Sequence, residues 1–315
     1  MNEIIRLENV CTSFPGRAGT VKAVSDVTMS IPEGHITGLV GETGCGKSVL
    51  GQTILRLTPP TAVMSGKIIF EGEDLLGMDD DRIRKVRGRK IAYINQNPTE
   101  ALNPVLKIGT QLMEAMMVCN EGMDRNQARE KCEEILSTMS FEKPSEIMNS
   151  YPSELSGGMK QRVMVAMAMT GDPVFLIADE PTKGLDALIR GQVIESLRKF
   201  IDVTGASGII ITHDLKFAKT ICDDLALMYA GEIVEYGPAD KLLSDPSHPY
   251  LRALLESMPQ NGMHTLKGSS CSLIDLPQGC RFHPRCDECT QRCEKDHPSM
   301  FSPEENHQVR CWKYD

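Results

Sequence analysis

The sequence predicts an α/β domain built on a largely parallel sheet, with a helical insert and a small cysteine-rich extension. Three observations carry this. Strand-like and helix-like patterns alternate over roughly the first 235 residues, as they do in α/β proteins. One strand-like run ends in the glycine-rich Gly41-Glu42-Thr43-Gly44-Cys45-Gly46-Lys47-Ser48. Six of the 11 cysteines (Cys271, Cys280, Cys286, Cys289, Cys293, Cys311) lie in the last 45 residues, while the other five are scattered singly.

In chain order, Val27-Thr28-Met29-Ser30-Ile31 alternates with period two and stops at the turn Pro32-Glu33-Gly34. Ile36 to Val40 reads as a buried strand feeding the glycine loop. Leu50, Ile54 and Leu57 then recur at helical spacing until Pro59-Pro60. Lys67–Phe70 and Ile91–Ile94 read as further strands. From Leu106 to Phe141 the spacing is helical, broken at Asn120-Glu121-Gly122, and no strand is evident; this is read as an insert. Strands return at Val174–Ala178 and Ile209–Thr212, separated by a helix carrying Ile189, Val193, Leu197 and Phe200. A second unit is expected from Gly237-Pro238, with a helix over Tyr250 to Met258 and then a Gly/Ser/Cys-rich tail.

With 315 residues the chain can bury a sizeable core, and 41% hydrophobic against 24% charged residues excludes disordered and collagen-like classes. No apolar run approaches the ~20 residues that cross a bilayer. The start, Met1 to Arg6, lacks the basic region and apolar block of a signal peptide. Acidic residues outnumber basic ones 43 to 34, for a net charge of −9, so nucleic acid is not expected as a partner. The basic stretch from Arg82 to Lys90 reads as a solvated face. Scattered thiols plus a dense tail point to the cytosol and to a metal site in the tail.

Gly41 to Ser48 fits the phosphate loop G-x-x-x-x-G-K-S/T in the required place, between a strand and an amphipathic helix. Glycines let the backbone N–H groups curl toward phosphate oxygens, and the helix adds its positive end. Lys47 would neutralise the β- and γ-phosphates and the Ser48 hydroxyl would ligate Mg²⁺. Phe175-Leu176-Ile177-Ala178-Asp179-Glu180 is a buried strand delivering two carboxylates to its C-terminal end, where open α/β sheets bind ligands. There Asp179 would hold Mg²⁺ through water and Glu180 would polarise the attacking water. Together the two motifs indicate a nucleotide triphosphatase.

Leu155-Ser156-Gly157-Gly158-Met159-Lys160-Gln161-Arg162 offers a second phosphate-binding helix start, a serine hydroxyl with uncapped N–H groups. One nucleotide does not need two such ends in one chain, but a nucleotide held by a second subunit would use it. Here the sequence resembles the ATP-binding cassette (ABC) family, whose signature is L-S-G-G-Q/M. The resemblance implies an ABC-type P-loop NTPase core, a RecA-like sheet domain with an antiparallel β subdomain, plus an inserted helical subdomain. It implies that Gln96 senses the γ-phosphate, reaches Mg²⁺ and touches a membrane partner. It also implies that His213 in Ile211-Thr212-His213-Asp214 contacts the γ-phosphate, and that Asp186 lies in the dimer-crossing loop. Phe14 is the candidate aromatic stacking on adenine; a core role is the alternative. Lys183-Gly184 departs from the small residues usual before Asp186, and Cys45 stands where the family often has serine. Cys45 beside Lys47 at a helix N-terminus is expected to have a lowered pKa and to be alkylated readily unless MgATP is bound.

The resemblance narrows to ATPases of oligopeptide, dipeptide and nickel importers, D-type subunits, through His248-Pro249-Tyr250-Leu251-Arg252-Ala253-Leu254-Leu255, Met258-Pro259 and Gly279-Cys280-Arg281-Phe282-His283-Pro284-Arg285-Cys286 with Cys293 and Cys311. It implies a cassette over 1–237, with the helical subdomain near 97–165, and an extension over 238–315. It implies two transmembrane permease subunits, a paralogous second ATPase in a heterodimer, and an extracytoplasmic solute-binding protein. The place is then the cytoplasmic face of the membrane. Peptide is preferred to nickel chelates as the solute. A soluble ABC ATPase of translation or repair is the remote alternative, disfavoured by the single signature, the C-terminal cysteines and the short span from Gln96 to Leu155. An exporter is disfavoured because exporters usually fuse cassette and membrane domain. For the tail, the resemblance implies a [4Fe–4S] cluster on Cys280, Cys286, Cys293 and Cys311. From the residues alone zinc stays open, since Cys286-x-x-Cys289 with Cys293, His283 or His297 could form a tetrahedral site.

Overall fold

The computed structural model describes residues 2–258, 262 and 266–315; Met1 and Pro259 of the motifs above lie outside the described residues. The chain forms two compact units, Met1–Gly77 with Ile211–Asp315, and Met78–Ile210.

The first unit opens with β1 (Glu3–Gly16) and β2 (Gly19–Pro32), a long antiparallel hairpin closed at Gly16↔Gly19. β3 (Ile36–Val40) is buried at every residue and runs into the glycine loop, as the sequence predicts. After α1 (Lys47–Ile54) come β4 (Val63–Phe70) and β5 (Glu73–Asp74). A four-stranded antiparallel sheet in the order β2-β1-β4-β5 results. The helix after the loop is shorter than its spacing suggests. Arg56 turns left-handed at φ 51°, Leu57 N–H bonds back to Gln52 O at 2.8 Å and Arg56 N–H to Thr53 O at 3.0 Å. That termination motif closes α1 before Pro59, and Leu57 ends up 44% exposed.

The second unit contains α2 (Asp80–Val86), β6 (Ile91–Ile94), α3 (Pro98–Ala101), α4 (Ile108–Cys119), α5 (Arg125–Thr138), α6 (Pro144–Asn149), α7 (Gly157–Ala168), β7 (Phe175–Asp179), α8 (Ala187–Thr204) and β8 (Ser207–Thr212) as far as Ile210. Its strands run in the order β8-β7-β6, with β6 and β7 parallel from Ile91↔Phe175 to Ile94↔Ala178. The helical insert is as expected. α4 buries Leu112 and Met116, the chain breaks at Asn120, and Asp124 starts α5 with a reciprocal capping box to Gln127.

The chain then returns to the first unit through α9 (Leu215–Ile221), β9 (Asp224–Tyr229), β10 (Glu232–Pro238), α10 (Ala239–Ser244), α11 (Pro249–Glu256), α12 (Gln291–Lys295), β11 (Phe301–Glu304) and β12 (His307–Val309). In this unit the strands run β11-β12-β10-β9-β3, with β3 and β9 parallel. The cysteine-rich tail therefore contributes strands to the sheet that carries the phosphate loop. The expected cassette limit at residue 237 falls inside β10. Buried carboxylates fasten the tail to β10. Glu235 accepts from the Ser247 and His248 amides and pairs with His307 at 3.0 Å, while Glu232 pairs with His297 at 2.8 Å and Arg281 at 3.4 Å.

Candidate functional site

In the first unit the phosphate loop leaves β3 and enters α1, whose N-terminus has no side-chain cap. Its N-cap, Gly46, has no side chain to occupy the helix start, an arrangement that suits an anion. Only glycine fits at position 46: φ is +111°, and a Cβ would lie 2.0 Å from Ala23 O. Lys47 is buried, and its ammonium donates to Gly41 O at 2.7 Å and Glu42 O at 2.8 Å, curling the loop around it. Gly44, Thr43 and Ser48 complete this stretch. Phe14 is half-buried on β1 opposite Val21, and His213 is exposed directly after β8. Asp214 beside it caps α9 by accepting from Lys216 N–H at 2.9 Å and Phe217 N–H at 3.1 Å.

One expectation fails in this loop. Cys45 is 6% exposed, and burial pushes its thiol up despite the Lys47 ammonium nearby. Desolvation of a thiolate outweighs one cation that is already occupied by carbonyls. Cys45 is therefore a small buried residue, not an activated thiol.

In the second unit the two acids stand at the end of β7, Asp179 3% and Glu180 8% exposed. Glu180 holds the left-handed φ of 46°, a conformation that non-glycine residues keep only under strong local constraint and that is common at working sites. Gln96 is half-buried two residues beyond Ile94, just as Glu180 is two beyond its register partner Ala178. The ends of the parallel neighbours β6 and β7 thus present Gln96 and Glu180 at one level. Tyr93, not singled out by the sequence, donates its hydroxyl to Asp179 Oδ2 at 3.1 Å.

Ser156 is the N-cap of α7 and accepts from Met159 N–H at 3.3 Å, so that helix start is partly capped rather than uncapped. Ser156 and Gly157 are exposed, while Gly158 is buried with no room for a side chain: a Cβ would lie 2.1 Å from Ile189 Cγ2 of α8. Asp186 is exposed and caps α8 by accepting from Ile189 N–H at 3.0 Å.

In the tail, Cys280, Cys286, Cys293 and Cys311 line one cavity of about 230 Å³ together with Phe282 and Trp312; Cys289 does not line it. Burial pushes Cys280 up to about 12, with Glu232 and then the Cys293 and Cys311 thiols adding to it, and burial followed by the same two thiols pushes Cys286 up to about 11. Among the described residues no three His, Cys, Asp or Glu side chains lie close enough together to hold a single metal ion. Phe282 packs with Tyr229 and Tyr250 at ring separations of 5.2 and 5.3 Å. Tyr250 then reaches the phosphate loop, its hydroxyl accepting from Glu42 N–H at 2.9 Å. The Glu42 carboxylate meets Arg285, with Nη1–Oε2 at 2.6 Å and Nη2–Oε1 at 3.0 Å. The sequence quoted Arg285 only as part of a motif, and gave no signal that it would reach residue 42.

These features define a nucleotide-binding cassette, and comparison with known proteins agrees. Residues 24–183 match the ABC transporter family, and residues 234–293 match the oligopeptide/dipeptide transporter C-terminal region. Among relatives, the dipeptide transport ATP-binding protein DppD of Bacillus subtilis is 38% identical over 100% of this chain and 96% of its own length. The oligopeptide transport ATP-binding protein OppD of Haemophilus influenzae is 36% identical over 99% and 98%. Among solved structures, the post-hydrolysis dimer of the ATP-binding cassette MJ0796, bound to ADP and Pi, superposes with a TM-score of 0.67 at 26% identity, covering 75% of this chain and 98% of that one. The chain belongs to the ABC transporter family and is an ATPase of that class. As an ATP-binding subunit it works with a membrane permease, and among the described residues no helix is long and apolar enough to cross a membrane itself.

Proposed function

We propose that this chain is one of two paralogous ATPases on the cytoplasmic face of a peptide importer, coupled to two permease subunits and served by an extracytoplasmic solute-binding protein. The chain powers peptide import by hydrolysing ATP. The observation that carries the reading is the oligopeptide/dipeptide transporter match of the tail behind a cassette with a buried Lys47 and an uncapped α1. The relatives described above carry peptide-transport names, which favours peptide over nickel chelates.

The phosphate loop, Gly41, Glu42, Thr43, Gly44, Cys45, Gly46, Lys47 and Ser48, cradles the triphosphate, and Lys47 exchanges its loop carbonyls for phosphate oxygens. Phe14 stacks on adenine. Ser156, Gly157 and Gly158 of one subunit, with Asp186, close over the ATP of the other. ATP thus joins the subunits, and its hydrolysis lets them part. Ser48, Gln96 and Asp179 would hold Mg²⁺, which would neutralise charge on the β- and γ-phosphates. Glu180 orients and polarises the attacking water, His213 contacts the γ-phosphate, and Gln96 with the insert passes closure to the permease.

In the tail, four half-buried cysteines around one cavity fit a [4Fe–4S] cluster better than a zinc ion. Zinc would need its ligands converging at ~2.3 Å from one point, whereas these thiols surround about 230 Å³. When bound, the cluster would supply four Fe–S bonds as a staple; Cys280, Cys286, Cys293 and Cys311 hold it and keep the loops around them in place.

The reading is tested with the complete transporter in liposomes. ATP-driven accumulation of a labelled peptide delivered by the binding protein is expected, and none of a nickel chelate. Nickel-chelate uptake without peptide uptake would contradict it.

A further inference from the structure

Residues 42 and 285 stand 243 positions apart, yet share a two-pronged ion pair. Arg285 is 5% exposed and Glu42 29% at the side chain, so this is not a solvated surface pair. The guanidinium is fixed on its other edge as well, with Nε donating to Lys267 O at 2.9 Å and the Tyr229 ring centroid 5.8 Å away. Glu42 is held at three points: its carboxylate by Arg285, its N–H by the Tyr250 hydroxyl, and its carbonyl by Lys47 Nζ. Two of the three holds come from beyond β10, outside the cassette motifs. The neighbour of Arg285 is Cys286, in the wall of the four-cysteine cavity.

We propose that Arg285 is a positioning residue of the ATP site: through its bidentate bond to Glu42 it fixes the phosphate loop in its binding shape and neutralises a carboxylate that would otherwise face the triphosphate. The cysteine-rich extension is then a working part of the nucleotide site. A planar fork suits this task as an ammonium does not, because it fixes orientation as well as charge. Removing it leaves a partly buried carboxylate without its guanidinium and the loop held from the tail by the Tyr250 hydroxyl alone. The inference rests on the ATP-site reading, and the experiment separates the two.

ATP hydrolysis is measured in the reconstituted transporter for wild type, Arg285→Met, Arg285→Lys, Glu42→Gln and the Glu42→Gln/Arg285→Met double variant. Arg285→Met is expected to raise the KM for ATP by roughly tenfold or more, with kcat at saturating ATP changed less than about twofold. Arg285→Lys should fall between. Because both side chains act through one bond, the double variant should be no worse than Arg285→Met. A staple with no role in nucleotide binding would lower thermal stability and leave the KM unchanged, and that result, or additive effects, would overturn the proposal. Should Arg285→Met not accumulate as folded protein, Glu42→Gln reads the same bond from the loop side, and an unchanged KM there would equally overturn it. A wild-type complex that does not bind ATP would instead refute the ATP-site reading.

Discussion

The Tyr93 hydroxyl donates to Asp179 Oδ2 at 3.1 Å, tying β6 to the last residue of β7. Asp179 is 3% exposed, so this bond, shielded from water, helps fix where its carboxylate points. A donor behind a ligating carboxylate commonly governs metal affinity by about 10- to 100-fold. Tyr93→Phe should therefore raise the Mg²⁺ needed for half-maximal ATP hydrolysis about tenfold, with little change once Mg²⁺ is saturating. An unaltered Mg²⁺ dependence would remove Tyr93 from the site.

Cys45 should be among the slow thiols of the folded protein. Burial raises its pKa, whereas Cys11, on β1, is half-buried. Iodoacetamide labelling at neutral pH, followed by peptide mapping, should modify Cys11 before Cys45, and MgATP should change the Cys45 rate little. Fast Cys45 labelling blocked by MgATP would restore the activated-thiol expectation.

The tail cavity separates its cysteines into four that line it and Cys289, which does not. Anaerobically purified protein should be brown with about four irons per chain. Cys280→Ser should lose the colour and Cys289→Ser should keep it. Colourless protein with one zinc, or loss of iron in Cys289→Ser alone, would contradict the assignment.

What the sequence made legible follows from how local each signal is. Ile36–Val40 and Ile91–Ile94 are read to the residue because short, largely buried strands appear as compact, mostly apolar runs. β1 is not read at all, since bulges between Leu7 and Val10 and between Val10 and Thr12 break its alternation. β11 and β12 escape too: β11 is an edge strand that pairs only through β12, and the pairing of β12 depends on β10, some 70 residues earlier, as in Glu235↔Val309. The phosphate loop, Asp179-Glu180 and the Ser-Gly-Gly helix start are legible because their chemistry demands fixed spacing. Tyr93 and Arg285 are not, because a tyrosine in a strand and an arginine in a loop carry no spacing signal. Leu57 misled because helical periodicity continues one turn past the point where Arg56 terminates α1.

On the proposed reading, Glu180 serves hydrolysis of an ATP held by Lys47 and the loop around it. The most direct measurement compares turnover and bound nucleotide for Glu180→Gln and Lys47→Ala in the reconstituted transporter. Glu180→Gln should lose hydrolysis by roughly 100-fold or more while retaining ATP in a closed dimer, because the phosphate cradle is untouched. Lys47→Ala should lose the nucleotide itself. Near-wild-type turnover in Glu180→Gln, or undiminished ATP binding in Lys47→Ala, would contradict the account.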